Sequence, residues 1–177
     1  MDFFATIFSN KYLSTLLPIG LGTSVGYLTR PDRGSVERDY RRLQRPPLSP
    51  PAAVFGPVWT TLYGLMGFAA YRAWTTAHAS LDMSRRDVAV QGGVLYTTQL
   101  ALNLAWMPLY FGFNKPRLAL ADIVLLWGNI ATLSYVWSDV DVTASYLMLP
   151  YLAWVSFATY LNAATIYLNK DRLAKLD

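Results

Sequence analysis

Four runs of this 177-residue chain, 12–28, 52–71, 88–113 and 142–168, contain no Asp, Glu, Lys or Arg, and a fifth, 118–137, contains only Asp122. A helix needs roughly 20 apolar residues to cross the hydrocarbon of a bilayer. Within that layer every backbone N–H and C=O must be satisfied inside the protein, so helices are the default. The alternating pattern of a membrane β-barrel is absent. Charged residues make up 15% of the chain, against roughly 25% in soluble domains, too few to cover a water-facing surface. The sequence therefore predicts an all-α polytopic membrane protein, with five transmembrane helices in a single bundle. One domain is expected over 1–177, with spans at about 12–28, 52–76, 88–113, 118–137 and 142–168 and an Arg/Pro-rich first loop at 29–51. The first run holds Pro18 and is the shortest. Only Lys11 precedes it, and it is too long for the apolar core of a signal peptide, so it is read as a retained span.

Basic residues fix the expected orientation. An odd number of spans places Arg30, Arg33, Arg38, Arg41, Arg42 and Arg45 on the same side as Lys115, Arg117 and the C-terminal Lys170, Arg172 and Lys175. Lys11, Arg72, Arg85 and Arg86 fall on the other side. Eleven of the fifteen basic residues thus predict a cytosolic first loop, third loop and C-terminus. The chain has no cysteine and one histidine, His78. Disulfides, thiolate catalysis and multi-histidine metal sites are excluded, and no metal ligand set is predicted. The expected surroundings are the lipid bilayer, with no nucleic-acid partner.

The tail of the first loop carries Pro46, Pro47, Pro50 and Pro51. Each proline removes a donor and restricts the residue before it, so this stretch is not helical. Upstream, Ser35 is a candidate cap for a short helix with Val36, Tyr40 and Leu43 on one face. Such a segment would lie over the bundle mouth as a lid. Most of its arginines are read as topology determinants that meet anionic headgroups. Arg41, Arg42 and Arg45 are the candidates for pairing with a ligand carboxylate.

The third span has two distinct faces. Gln99, Asn103, Trp106 and Tyr110 recur at i, i+4, i+7 and i+11, while Gly93, Thr97, Ala101 and Ala105 recur every four residues. At about 100° per residue these stripes point about 190° apart. The polar-aromatic face is expected to turn into the bundle. The small face suits close helix packing, against a neighbour in the same chain or as the seam of a homodimer. In the fifth span Tyr151, Trp154, Ala158, Asn162 and Thr165 share a face, and the second adds Trp59, Tyr63 and Gly67. Polar groups inside a membrane usually face a cavity or each other. Two readings follow: a ligand chamber walled by indoles, phenols and carboxamides, or amide glue between helices. Pro108 is expected to kink the third helix. Asp122 is read as a stabiliser of the fourth helix N-terminus, near Arg117.

The motifs resemble those of the translocator protein family (tryptophan-rich sensory protein, peripheral-type benzodiazepine receptor). The residues that carry the resemblance are Pro50-Pro51-Ala52-Ala53-Val54-Phe55-Gly56-Pro57-Val58-Trp59-Thr60-Thr61-Leu62-Tyr63, then Gln99-Leu100-Ala101-Leu102-Asn103-Leu104-Ala105-Trp106. A third motif is Pro150-Tyr151-Leu152-Ala153-Trp154-Val155-Ser156-Phe157-Ala158-Thr159-Tyr160-Leu161-Asn162. Together they cover the second to fifth spans, and they look closer to eukaryotic members than to bacterial ones. The chain departs from the family pattern at Leu48, Ser49, Ala52 and Ala53, where aromatics or His are common, and at Leu118, where animal members often carry tryptophan.

The resemblance implies a bundle, commonly dimeric, that binds tetrapyrroles such as protoporphyrin and haem, isoquinoline and benzodiazepine-type drugs, and sterols. Carried over by position, its pocket includes Trp59, Asn103, Trp106, Phe111, Trp154, Ala158, Leu161 and Asn162. It also implies a light-dependent porphyrin breakdown in which Trp59 and Trp154 are the catalytic candidates. A weak sterol pattern survives as Leu161, Tyr167 and Lys170. The expected location is the outer mitochondrial membrane for a eukaryotic chain, with endoplasmic reticulum or bacterial envelope as alternatives.

Three functions remain open at this stage: a receptor for tetrapyrroles and lipophilic ligands, a photochemical porphyrin-degrading enzyme, and a scaffold acting through partners. Stacking of flat π-systems on indoles and phenols favours the first. The spans hold no His or Cys for haem iron, so no cofactor is obligatory and metal-free protoporphyrin is expected to bind at least as tightly as haem. No nucleophile–base pair or acid–base dyad is present for ordinary catalysis.

Overall fold

A computed structural model describes residues 3–29 and 43–173. Its elements are α1 (Phe3–Phe8), α2 (Lys11–Leu28), α3 (Ala52–Ala79), α4 (Met83–Met107), a π-helical turn (Pro108–Gly112), α5 (Pro116–Ser138), α6 (Val142–Leu168) and α7 (Lys170–Leu173). No strand occurs among the described residues. The five long helices follow the five apolar runs. Three of them, α3, α5 and α6, are long and apolar enough on their own to cross a membrane.

The helix starts have local causes. Asn10 accepts from the N–H groups of Tyr12 and Leu13, and Asp141 from those of Thr143 and Ala144, so each caps the helix that follows. Asp82 caps α4 through Ser84. That cap moves the start of α4 five residues before the expected 88, carrying Arg85, Arg86 and Asp87 into its first turns. Pro108 acts as expected. The α-helix gives way there to a π turn, closed by Phe113 N–H on the Pro108 carbonyl and by Lys115 N–H on the Leu109 carbonyl.

Passing around the bundle, the order is α2, α3, α6, α5, α4, and α3 also touches α4 across the interior. Helix α2 approaches α3 closely at Gly67. A Cβ there would collide with the Ser14 carbonyl and the Thr15 backbone, and Ser14 Oγ donates to the Gly67 carbonyl at 2.7 Å. Small residues permit this approach where lipid offers no hydrophobic drive.

The short helix α1 was not foreseen in the sequence. Its Phe4 and Phe8 stack on each other, and Phe8 meets Trp74 of α3 and Tyr96 of α4 with ring centroids 5.9 and 5.3 Å apart. Both phenylalanines sit over Gly93, so this chain's own α1 covers the first residue of the small stripe. Thr97 and Ala101 remain exposed and Ala105 is half-buried.

At the same end, Asp141 ties α3 to the start of α6. It accepts from Arg72 at 2.9–3.0 Å and from the Thr76 hydroxyl at 3.1 Å. Burial opposes its ionisation, yet the Ala144 and Thr143 N–H groups, the Thr76 hydroxyl and the Arg72 guanidinium together hold its carboxyl below the usual carboxylate range.

Candidate functional site

Three helices meet at one line of hydrogen bonds. Tyr63 of α3 donates its hydroxyl to Asn103 Oδ1 of α4 at 2.6 Å, and Asn103 Nδ2 donates to the Tyr151 hydroxyl of α6 at 2.9 Å. Asn103 is 5% exposed and Tyr151 0%. A carboxamide is the side chain that can accept from one phenol and donate to another at once. Trp59, one turn before Tyr63, packs against both rings, with centroids 5.6 Å from Tyr63 and 6.1 Å from Tyr151.

Two aromatic groups flank this centre. On α4 and the π turn, Trp106 stacks on Tyr110 at 4.9 Å, and Phe111 meets both edge-on. The π turn brings Phe111 to the Trp106–Tyr110 pair. On α6, Trp154 packs between Phe55 of α3 and Phe157, at 5.8 and 5.7 Å. The indole nitrogens of Trp106 and Trp154 are buried with no hydrogen-bond partner among the described residues. Gln99, 0% exposed, makes a 3.5 Å contact from Nε2 to the Met66 sulfur and leaves Oε1 unpaired among the described residues.

The structure therefore joins Trp59, Tyr63, Asn103 and Tyr151 directly, with Gln99, Trp106, Tyr110, Phe111 and Trp154 around them. Ring and hydrogen-bond contacts join the central four. Two grooves, one of about 640 Å³ along Gly20 to Leu28 and one of about 260 Å³ between Pro57 and Pro150, are open to the outside. Neither is lined by a residue of the polar face.

Ala158 and Leu161 are half-buried farther along α6. Asn162 faces another way. With its carboxamide turned so that donors meet acceptors, it donates to the Pro116 carbonyl at 3.2 Å and accepts from Leu120 N–H at 3.0 Å. Asn162 thus holds the start of α5, the task the sequence assigned to Asp122. Asp122 lies deeper, buried, with Oδ2 lacking a hydrogen-bond partner among the described residues. Tyr167 and Lys170 are exposed, as is Arg45, while Arg41 and Arg42 and the candidate helix from Ser35 lie outside the described residues.

Sequence reasoning missed Tyr96, whose hydroxyl is buried and unpaired among the described residues. It extends the polar face one turn further, since 96, 99, 103, 106 and 110 keep the i, i+3, i+7 rhythm of a single helix stripe. It also missed Phe55 and Asn169, whose contacts come from other elements.

Comparison with known proteins identifies the family. The sequence profile of the TspO/MBR family matches residues 14–168. The chain is similar to the translocator protein homolog of Schizosaccharomyces pombe, at 39% identity over 166 residues that cover 94% of this chain and 96% of the other. It is 42% identical to the translocator protein of Homo sapiens over 148 residues, 84% of this chain and 83% of that one. It is 34% identical to the tryptophan-rich sensory protein of Cereibacter sphaeroides over 161 residues, 91% and 92% of the two chains. With its motifs on three adjoining helices and its whole apolar region matched, the chain belongs to the TspO/MBR family of polytopic membrane proteins.

Proposed function

We propose that this protein is a membrane receptor for tetrapyrroles, protoporphyrin and haem, and for other lipophilic ligands such as sterols and isoquinoline or benzodiazepine-type drugs, acting in their sensing, transport or disposal. The observation that carries the reading is the Tyr63–Asn103–Tyr151 chain under Trp59, flanked by Trp106 and Trp154 with unpaired indole N–H groups. Rings of this kind stack on flat π-systems, and unpaired donors and a carboxamide orient a polar edge. Arg45, with Arg41 and Arg42 nearby in sequence, suits ligand carboxylates. In this reading a eukaryotic chain sits in the outer mitochondrial membrane, with endoplasmic reticulum or bacterial envelope as the alternatives, its first loop and C-terminus are cytosolic, and it pairs into a homodimer through Thr97, Ala101 and Ala105.

The test is a titration of purified protein with protoporphyrin IX, haem and a sterol, followed by tryptophan fluorescence. Saturable quenching by protoporphyrin, at least as tight as by haem and weakened by Trp154→Ala, is expected. Haem binding much tighter than protoporphyrin, lost on a Tyr→Phe change, would overturn it. A second reading, light-dependent porphyrin breakdown, draws on the contact of Trp59 with two phenols. Loss of porphyrin absorbance under illumination that Trp59→Phe and Trp154→Phe abolish would favour it; equal loss in wild type and both variants dismisses it.

A further inference from the structure

Asn169 ends α6 and is 3% exposed. Its Oδ1 accepts from the Gln44 N–H at 2.8 Å, and its Nδ2 donates to the Gln44 carbonyl at 3.0 Å and to the Thr165 carbonyl at 2.8 Å. One carboxamide therefore satisfies both main-chain groups of a residue 125 positions away, as a neighbouring strand would. From Gln44 the chain runs through the buried Pro46 to Pro47, whose carbonyl faces the Tyr160 hydroxyl at 3.4 Å. A turn follows, in which Ser49 donates to the Pro46 carbonyl and Leu48 takes φ 67°. The segment then enters α3 at Pro51.

Four prolines among residues 44–51 leave this strap few alternative shapes. It spans from the end of α6 to the start of α3, the two helices that carry Trp154 and Tyr151 on one side and Trp59 and Tyr63 on the other. Because those groups pack directly against one another, passage of a large flat ligand at this end requires α3 and α6 to part, and the strap ties them together.

We propose that Asn169 is a positioning residue, a latch that pins the proline strap across this end of the bundle and sets the rate at which ligand passes. This rests on the receptor reading above. A strap closed in both the free and the bound state must open for each passage. Releasing the latch then speeds association and dissociation alike and leaves affinity nearly constant.

The experiment uses the full chain in lipid nanodiscs. Hydrogen–deuterium exchange reads the Gln44 amide, and stopped-flow tryptophan quenching reads protoporphyrin IX. Asn169→Ala is expected to speed exchange at residue 44 about tenfold and to raise both rate constants about tenfold, the factor carried by one or two net hydrogen bonds. The dissociation constant should stay within about twofold. Gln44→Pro removes the donor from the other partner without touching α6, and should reproduce the kinetics. If Asn169→Ala acts while Gln44→Pro does not, the effect comes from fraying of α6 and the latch is overturned. Unchanged exchange at residue 44, unchanged rate constants, or weaker affinity with an unchanged association rate would each overturn it too. Absence of saturable quenching in the wild type would defeat the receptor reading; exchange at residue 44 then decides whether Asn169 holds the strap.

Discussion

Replacing Asn103 with leucine keeps the volume and removes both bonds at the centre of the bundle. The Tyr63 hydroxyl loses its acceptor and the Tyr151 hydroxyl loses its donor, in a region all but closed to water. Interhelical side-chain bonds in bilayers average about 0.6 kcal/mol and reach about 1.7, while an orphaned buried polar group costs roughly 1–3 kcal/mol. Two bonds at the membrane average would give only about 1.2 kcal/mol. Here both phenols are held between α3, α4 and α6 with Trp59 over them, so neither can rotate to an alternative partner without repacking. The upper range applies, and Asn103→Leu should cost about 2–3 kcal/mol. Tyr63→Phe leaves a single orphaned acceptor and should cost about 1 kcal/mol. The double variant should then be less destabilised than the sum by about 1 kcal/mol, because both changes break one bond. The assay is reversible unfolding in mixed micelles by SDS titration, read by tryptophan emission. A cost for Asn103→Leu below about 0.5 kcal/mol, or strict additivity with Tyr63→Phe, would show that the chain of three is an accident of proximity.

Asp141→Asn keeps the helix cap but removes the charge that Arg72 meets. Arg72 is partly exposed, so the loss at pH 7 should be only about 1 kcal/mol. Because the Asp141 carboxyl is held low, its contribution is complete above the unfolded value of about 3.9 and is lost as pH falls through the lower folded value; the gap between wild type and variant should close below about pH 4 in SDS unfolding curves. Gly22→Ala places a Cβ into the Tyr63 ring, so the ring must swing from Asn103. A loss of about 1–3 kcal/mol and weaker protoporphyrin quenching are expected, and normal quenching with normal stability would contradict the placement of α2. The chain has no cysteine, so Thr97→Cys reports one contact only: oxidative crosslinking in nanodiscs should give a dimer band, and its absence at both Thr97→Cys and Ala101→Cys would refute the seam.

What was legible in the sequence is what depends on neighbours along the chain. Charge-free runs mark the long helices because the cost of burying charge is local to each residue. The 3.6-residue rhythm put Gln99 and Asn103 on the inner face for the same reason. The Pro108 break was legible because a missing donor acts within one turn. What escaped detection depends on partners distant in sequence. Asn162 shares a helical face with Trp154, yet it serves the start of α5, and nothing in its own helix says which neighbour stands opposite. Asn169 follows a helix and reads as an ordinary end residue; only the fold brings Gln44 to it. The helix α1 is six residues long, too short to be stable alone. It exists because Gly93 leaves room for Phe4 and Phe8 against Trp74 and Tyr96, a condition written in three separate segments.

The placement of unpaired polar atoms bears on why this interior is built as it is. In hydrocarbon an N–H or C=O without a partner is costly, so a bundle selected for stability alone would fill such positions with Leu or Phe. Here the Tyr96 hydroxyl, Gln99 Oε1 and the Trp106 indole nitrogen lie along one stripe of α4, and the Trp154 indole nitrogen lies across from it on α6. Between them each polar side-chain atom of the Tyr63–Asn103–Tyr151 chain has a partner. The satisfied centre fixes the register of three helices, while the unsatisfied atoms on either side of it hold hydrogen-bonding capacity in reserve. Native proteins depart from the stability optimum mainly where function requires it. Asn103, Asn162 and Asn169 are paired, whereas Asp122 Oδ2 and Asn129 Oδ1 on α5 also lack a partner among the described residues. Under the receptor reading proposed above, the atoms along the α4 stripe are the ones a polar-edged guest would meet.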